Sequence, residues 1–235
     1  MATLGVIGGL GPMATAYFME LVTKMTKAKT DQEHIKTIIY SAPDIPDRTA
    51  FILGRSEKNP LPEMIKAGKA LKSLGVDVIA IPCVTAHYFH DELEQSIGVK
   101  TLNALRETAL CLSSNGIKKV GIMATEGTVG TGLFPKELSK QGIECVVPSE
   151  EGQKNVTSLI YDEIKSGKAP SEKKFFAAKN ELIGKGAQAV ILGCTELSLI
   201  NNYMDTGDNI LDVSEVLASA AVLACGRELT VTRLL

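Results

Sequence analysis

Two stretches of this chain share one pattern, and this repetition restricts the possible folds more than any other feature. Each begins with a glycine, continues with a short apolar run, and reaches a cysteine eight residues after the glycine. They are residues 75–85, with Cys83, and residues 186–195, with Cys194. A short apolar run between turn signals is typical of a strand buried on both faces of a parallel sheet. Each cysteine is therefore predicted to follow the carboxyl end of a parallel strand, where open α/β sheets bind ligands.

The helices before these strands repeat at the same distance. Leu71 and Leu182 are 111 residues apart, as are the two cysteines. A constant spacing across helix, strand and loop indicates an internal repeat. We predict an α/β protein with two pseudo-symmetric open parallel-sheet halves and the active site in the cleft between them. Residues 1–103 with 212–235 are predicted to form the first half, because the last helix could return to it, and residues 104–211 the second.

Hydrophobic periodicity and turn residues predict the remaining elements. The further predicted strands are residues 4–8, 37–40, 99–102, 120–124 and 144–147. The predicted helices are residues 13–27, 61–73, one beginning near 85, then 104–114, 134–141, 156–165, 171–184 and 212–225. Residues 41–49 are predicted to form a proline-rich loop and residues 125–132 a loop of Gly and Thr.

The first predicted strand runs into Gly8-Gly9-Leu10-Gly11-Pro12. Proline suits the first position of a helix, and the glycines let the backbone pass close to a ligand there. Unpaired N–H groups at such a helix start favour an anion. The spacing does not fit the dinucleotide fingerprint, and no Walker-type loop occurs. A tight turn without a ligand is the alternative.

Composition and charge restrict the partners. The chain has 235 residues, of which 45% are hydrophobic and 22% charged, as in soluble globular proteins. A net charge of −2 gives no reason to expect nucleic acid or an anionic membrane. No apolar run reaches the roughly 18 residues that span a bilayer. With no signal-peptide pattern and five widely spaced cysteines, we predict reduced thiols in a cytoplasmic protein.

Two thiols in one cleft suit three different roles. A thiolate could take a proton from a carbon beside a carboxylate while the other thiol delivers one to the opposite face. Hydroxyls of Thr85, Thr128 and Thr195 could then stabilise the charge on the carboxylate. Cys83 and Cys194 could instead form a redox disulfide, or could be small apolar residues at strand ends. Their equivalent positions beside threonines favour a functional pair.

Cys83, His87 and His90 also have some metal-ligand character. A zinc site usually needs three or four protein ligands, and no fourth ligand has a convincing position, so we predict no metal. His87 is expected to lie near Cys83 and tune its charge, and Glu196 to do the same near Cys194.

Four motifs resemble the aspartate racemase branch of the aspartate/glutamate racemase family, in the family's order and across nearly the whole chain. They are the Gly8–Pro12 run, Ile45-Pro-Asp-Arg-Thr49, Pro82-Cys-Val-Thr-Ala-His87 and Gly193-Cys-Thr-Glu-Leu197. The resemblance implies a cofactor-independent enzyme with two α/β halves, which interconverts enantiomers of a small acidic amino acid and is commonly a homodimer. It implies that Cys83 and Cys194 are the two acid/base residues.

The same resemblance implies the substrate-binding residues. Arg48 and Lys165 would hold substrate carboxylates, Thr85 and Thr195 would bind the α-carboxylate, and Thr128 would line the cleft. Val84 occupies the position after the first cysteine, where the family usually has Asn, and Ala42 also replaces a usual Asn. These changes remove amide groups from the expected site.

Three alternatives remain open at this point. The chain could be a racemase or isomerase of another small carboxylate, such as a hydantoin or a different amino acid, because Val84 and Ala42 alter the site. It could be an amino-acid-binding protein with little turnover. It could also be a thiol–disulfide sensor.

Overall fold

Two four-stranded parallel sheets form the framework of the protein. The computed structural model describes residues 2–230. The strands are β1 (Leu4–Gly8), β2 (Thr37–Ser41), β3 (Val78–Ala80), β4 (Lys100–Thr101), β5 (Lys119–Met123), β6 (Glu144–Val146), β7 (Ala189–Leu192) and β8 (Ile210–Asp212). The first sheet has the order β2-β1-β3-β4 and the second β6-β5-β7-β8. The two orders match strand for strand, and every pair is parallel.

Helices connect and flank the strands. The α-helices are α1 (Pro12–Met25), α2 (Arg48–Ile52), α3 (Leu61–Ser73), α4 (His90–Ile97), α5 (Ala104–Ser114), α6 (Glu126–Gly130), α7 (Leu133–Ser139), α8 (Glu150–Ser158), α9 (Glu172–Gly184), α10 (Thr195–Ser198) and α11 (Val213–Ala224). Segments Asp31–Glu33, Val84–Phe89 and Leu199–Asn202 are 3-10 helices, and Leu159–Ile164 is a π-helix. Within residues 2–230, no helix has the length and hydropathy needed to cross a membrane.

The two-sheet α/β architecture predicted from the repeat is confirmed, with local differences. Residues 125–132, predicted as a loop, contain α6, because the Thr125 side chain accepts a hydrogen bond from the Thr128 amide and caps the helix. The helix predicted from residue 156 begins at Glu150, where Ser149 provides the cap. Arg48, predicted in a loop, is the first residue of α2, which Asp47 caps. Strand β8 was not predicted.

The repeat extends through the buried positions of both halves. The side chains of Met64 and Leu71 on α3 are fully buried, and so are those of Phe175 and Leu182 on α9, 111 residues later in each case. Each set packs with its own sheet in an outer hydrophobic cluster. The apolar face of each helix therefore covers the outer face of its sheet, in the same register in both halves.

A third hydrophobic cluster joins the two halves. It contains side chains of β1 and β3 from the first sheet, of β5 and β7 from the second, and of α1, α5 and α11. Helix α11 packs on α1 and β3, whereas α5 packs on α7. Helix α11 thus follows a strand of the second half but contacts the first half. Helix α5 follows a strand of the first half but contacts the second half. The predicted division of the chain into halves at residues 103 and 212 follows this crossing and stays a prediction. Residues 1 and 231–235 lie outside the part of the chain that the structure describes.

Asp212 ends β8 and caps α11 from a fully buried position. Its Oδ1 accepts hydrogen bonds from the Ser198 hydroxyl and from the amide of Ser214, and its Oδ2 has no partner among the described residues. Burial raises the pKa of this carboxyl from 3.8 to about 7, although the hydrogen bonds from Ser198 and Ser214 oppose the shift. The folded protein therefore holds a proton here that the unfolded chain has released above about pH 4.

This buried carboxyl makes stability depend on pH. Between about pH 4 and pH 7 the folded state binds more protons at Asp212 than the unfolded state, so its contribution to stability falls as pH rises. Asp212→Asn removes this dependence. Relative to wild type, the variant is expected to gain at most about 1.4 kcal/mol of unfolding free energy per pH unit across this window. Urea unfolding of both proteins at about pH 4.5, 5.5 and 6.5 measures the difference in unfolding free energy. The contributions of the other titrating groups cancel in this difference. A difference that stays constant with pH would contradict the raised pKa of Asp212.

Candidate active site

The two cysteines of the repeat occupy equivalent places at the ends of the central strands. Cys83 follows β3 after two residues, and Cys194 follows β7 after one. Each is the N-cap residue of a short helix: Val84–Phe89 after Cys83 and α10 after Cys194. Both thiols are buried and line a single small pocket between the halves. All five cysteines are free thiols.

This thiol pocket receives side chains from both halves. Its lining residues are Leu10, Asp47, Arg48, Thr49, Cys83, Val84, Thr85, Thr125, Tyr161, Lys165, Cys194, Thr195 and Glu196. They include every predicted site residue except Thr128. The pocket volume is only ≈ 10 Å³, about enough for one water molecule. The site is therefore closed around the thiols.

Three threonine hydroxyls form a buried triangle beside Cys83. The Oγ1 atoms of Thr85, Thr125 and Thr128 lie 3.0 Å from one another. Thr85 and Thr125 line the thiol pocket, whereas Thr128 lies behind them and contacts both. Thr128 thus orients the hydroxyl of Thr85 instead of lining the pocket itself.

Cys194 is held as a neutral thiol. Its Sγ donates a hydrogen bond to Glu196 Oε2 at 2.9 Å. Burial raises the pKa of Cys194 well above its usual value, and the nearby Glu196 carboxylate raises it further, while Lys165 has the opposite effect. The expected contact between Glu196 and Cys194 is present. At neutral pH this thiol is a hydrogen-bond donor and a source of a proton.

Arg48 occupies the other side of the pocket, next to Cys83, and is buried. Its Nη1 donates to the carbonyl oxygens of Ile45 and Pro46, at 3.2 and 3.0 Å, and its Nη2 donates to that of Leu10 at 2.7 Å. The Nε–H has no partner among the described residues. Burial by itself would lower the pKa of Arg48, but the contact with Cys83 keeps it raised. The guanidinium is fixed by backbone carbonyls and keeps a free donor in the site.

Lys165 and Tyr161 come from the π-helix that follows α8. The Lys165 amide donates to the carbonyl of Ile160, five residues earlier, at 3.0 Å, a wider turn that is common at functional sites. The Lys165 ammonium lies 3.5 Å from Glu196 Oε1 and 4.9 Å from the centre of the Tyr161 ring. Burial would lower the pKa of Lys165, but Glu196 and the thiols keep it raised, so the side chain is cationic.

Some lining residues were not identified from the sequence. Asp47 and Thr49 flank Arg48, Thr125 precedes α6, and Tyr161 stands four residues before Lys165. The spacing of Tyr161 and Lys165 places both on one helix face and could have indicated a shared site. Leu10 gave no signal beyond its place in the glycine-rich turn.

A larger outer pocket of ≈ 530 Å³ adjoins the thiol pocket. Leu10, Asp47, Arg48, Lys165 and Glu196 line both. The glycine-rich turn forms one wall of the outer pocket, where Gly9 has φ +86° and its Cα faces the backbone of Ala42, so that any Cβ would lie 2.4 Å from the Ala42 nitrogen. The remaining lining residues are Gly11, Pro12, Met13, Ala14, Pro43, Ile45, Ile164 and Leu199.

His87 does not line the thiol pocket, contrary to the expectation that it tunes Cys83. It lies on the other side of the Val84–Phe89 helix, in a separate pocket with His90. Burial lowers the pKa of His87 to about 3, and the neighbouring His90 contributes, so the ring is neutral. Among residues 2–230, no three His, Cys, Asp or Glu side chains meet in a way that could hold a metal ion.

The contact between Cys194 and Glu196 can be tested by alkylation. Glu196→Gln removes the carboxylate charge and is expected to lower the pKa of Cys194. The reaction of the Cys194 thiol with iodoacetamide at pH 8 should accelerate about threefold per unit of pKa decrease. The thiolate fraction rises about tenfold per unit, but the nucleophilicity of the thiolate falls. Mass spectrometry of the Cys194 peptide gives the rate. Glu172→Gln, on the exposed side of α9, is the matched control, and equal rates in both variants would refute the coupling.

Comparisons with known proteins identify the family. The family described as Asp/Glu/Hydantoin racemase matches residues 7–221. The broad specificity amino-acid racemase RacX of Bacillus subtilis (strain 168) is 28% identical over 225 residues, which are 93% of this chain and 96% of the relative.

Two solved structures have the same fold along their whole length. Picrophilus torridus aspartate racemase superimposes with a TM-score of 0.84 at 30% identity, covering 98% of this chain and 96% of that chain. An aspartate racemase homologue from Pyrococcus horikoshii OT3 has a TM-score of 0.78 at 25% identity, covering 97% and 100%. The chain therefore belongs to the Asp/Glu/hydantoin racemase family, and the reaction of this family is an isomerisation.

Proposed function

We propose that this protein is an amino-acid racemase that moves the Cα proton by means of Cys83 and Cys194, and that acidic amino acids are its substrates. The observation that carries the proposal is the convergence of two equivalent strand-end thiols, one beside a guanidinium and one bonded to a carboxylate, in a single buried pocket.

The different surroundings of the thiols suit a two-base reaction. Cys194 donates a hydrogen bond to Glu196 and so holds a proton, and we therefore assign the accepting role to Cys83, which lies beside Arg48. It takes the Cα proton, the electron pair left behind is delocalised into the α-carboxylate, and Cys194 delivers its own proton to the opposite face. The product then faces a Cys83 thiol and a Cys194 thiolate, which is the state required for the reverse direction. Both transfers use protein side chains and invoke no cofactor.

Cationic and hydroxyl groups around the thiols suit a dicarboxylate. The free Nε–H of Arg48 and the ammonium of Lys165 are donors for substrate carboxylates. Thr85 and Thr195 line the same pocket and would hydrogen-bond the α-carboxylate as negative charge develops on it. Glu196 forms an ion pair with Lys165, and a substrate carboxylate would replace Glu196 in this pair.

Substrate entry requires the site to open. A pocket of ≈ 10 Å³ does not hold an amino acid, whereas the adjoining outer pocket of ≈ 530 Å³ does. The side chains shared by the two pockets separate them. We propose that movement of Lys165, whose ammonium lies 3.5 Å from Glu196 Oε1, admits the substrate from the outer pocket and that its return excludes water during proton transfer.

The racemase proposal predicts exchange of the Cα proton with solvent. In deuterated buffer with a reductant, the Cα signal of L- or D-aspartate is expected to disappear with wild type. Cys83→Ala and Cys194→Ala should each lower the racemisation rate by about 10²- to 10⁴-fold, since each removes one acid/base group. Cys111→Ala, at a half-buried cysteine outside the pocket, is the control and should retain full activity.

The same measurement separates the alternatives. Binding of aspartate and glutamate without Cα exchange would contradict the proposal and indicate a binding protein. A reversible Cys83–Cys194 disulfide that is the functional state of the protein would indicate a redox sensor instead.

A second candidate is a racemase with a wider substrate range. Val84 is buried in the wall of the thiol pocket, and the outer pocket has several apolar walls, among them Ile45, Ile164 and Leu199. These surfaces suit an apolar substrate side chain, whereas Arg48 and Lys165 suit a carboxylate. The name of the Bacillus subtilis relative, a broad specificity racemase, agrees with this candidate.

Substitution at Val84 distinguishes the two substrate ranges. Val84→Asn supplies amide donors and is expected to raise kcat/KM for aspartate relative to methionine about tenfold, the effect of one hydrogen bond to a charged group. Val84→Ala is the matched control, which changes the volume without adding a donor. Because the readout is a ratio of two substrates, loss of folded protein does not affect it. An unchanged ratio would show that Val84 does not contact the substrate side chain.

We also propose that residues 1–103 with 212–235 form one half and residues 104–211 the other. The crossing of α5 and α11 supports this division. Assembly as a homodimer, which the family resemblance implies, and location in the cytoplasm, which the free cysteines indicate, are part of the same proposal.

A further inference from the structure

A separate polar pocket lies behind the helix that follows Cys83. Its volume is ≈ 110 Å³, several times the roughly 30 Å³ that one water molecule occupies in the liquid. The Val84–Phe89 helix, α4, α5 and α7 enclose it. The lining residues include His87, Asn103, Arg106 and Lys136. None of them lines the thiol pocket.

His87, one of the lining residues of this pocket, has a buried acceptor without a partner among the described residues. His87 Nε2 lies 3.3 Å from the carbonyl oxygen of Ile81. A carbonyl only accepts, so Nε2 carries the hydrogen and Nδ1 of the neutral ring has a free lone pair. Nδ1 is buried and has no hydrogen-bond partner among the described residues. A buried acceptor in this state is unfavourable until a donor reaches it.

The rim of the pocket has an excess of cationic groups. Its two carboxylates already have partners: Asp91 contacts His90 at 3.0 Å and Glu137 contacts Lys140 at 2.7 Å. Arg106 and Lys136 form no ion pair within residues 2–230. They lie close enough to Asp91 to contribute to the lowering of its pKa, whose main cause is the hydrogen bond to His90.

An amide group adds a neutral donor beside these cations. Asn103 is buried and its Oδ1 caps α5 by accepting from the amides of Leu105 and Arg106. Its Nδ2 makes no hydrogen bond in the described part of the chain. The pocket thus combines charged donors, one amide donor and one unpaired acceptor.

We propose that this pocket binds a small oxyanion that also carries a hydroxyl group. The anionic oxygens would contact Arg106, Lys136 and the Asn103 amide, and the hydroxyl would donate to His87 Nδ1. Monohydrogen phosphate and a small 2-hydroxy carboxylate both have this chemistry. The Val84–Phe89 helix borders both pockets, with Thr85 on one and His87 on the other, so the ligand would bind next to the segment that positions Cys83. The proposal does not depend on the reaction or on its substrate.

Imidazole ¹⁵N spectroscopy tests the proposal directly, because the chain has only three histidines. Inorganic phosphate and glycolate are titrated at constant ionic strength, with sulfate and acetate as matched anions that lack the hydroxyl. The His87 Nδ1 resonance is expected to move in a saturable way with phosphate, with glycolate or with both, and not with sulfate or acetate. The arm that responds identifies the phosphate or carboxylate source.

Two double variants show whether the response belongs to this pocket. Arg106→Gln/Lys136→Gln should weaken the apparent affinity at least about tenfold, because two charge-assisted contacts are lost. Lys69→Gln/Lys173→Gln removes the same charge at exposed lysines away from the pocket and should retain the affinity. A His87 resonance that does not respond to phosphate or glycolate would overturn the proposal. Equal effects of sulfate and phosphate, or of the two double variants, would do so as well.

Discussion

The hydrophobic cluster between the two sheets is the constraint on which the rest of this structure depends. It contains side chains of α1, α5 and α11 together with the inner faces of both sheets. Because α5 and α11 each pack on the half opposite to their preceding strand, the two halves cannot separate without exposing apolar surface. This shared core brings the carboxyl ends of β3 and β7 to one pocket and therefore brings Cys83 and Cys194 together.

Within this symmetric frame, the chemistry of the two thiols differs. The position after Cys83 holds Val84 and that after Cys194 holds Thr195; the next positions hold Thr85 and Glu196. Cys194 donates to a carboxylate, whereas Cys83 lies beside a guanidinium that backbone carbonyls fix in place. Two similar halves thus place a pair of like groups in unlike surroundings, which the proposed two-thiol reaction requires.

In the proposed reaction, the closed thiol pocket and the outer pocket would divide the work of binding. At the boundary of the two pockets, the Lys165 ammonium lies 3.5 Å from the Glu196 carboxylate. A dicarboxylate would replace this contact. Apolar walls in the outer pocket add contacts for a side chain that carries no charge. The relative use of these two surfaces sets the substrate range.

Many elements could be predicted because local signals and tertiary packing agree. Helices α3 and α5 have the predicted bounds, since their apolar periodicity matches the face that is buried. Strand β8 has only three residues, too few for a recognisable alternation, and pairing with β7 creates it. Helix α6 was missed because its Gly and Thr residues are typical of a loop, and the Thr125 cap decides its structure.

The sequence was enough to predict the repeat, the parallel-sheet class and the two cysteines, because these depend on spacing and apolar pattern along the chain. It did not determine on which side of a helix each residue near the cysteines lies. His87 is four residues from Cys83, yet it occupies another pocket, since the short helix between them directs Thr85 and His87 to opposite sides. Tyr161 and Lys165 reach the thiols only through the π-helix and the contact between the halves. Proximity across the cleft arises from tertiary packing, and only the folded structure could decide it.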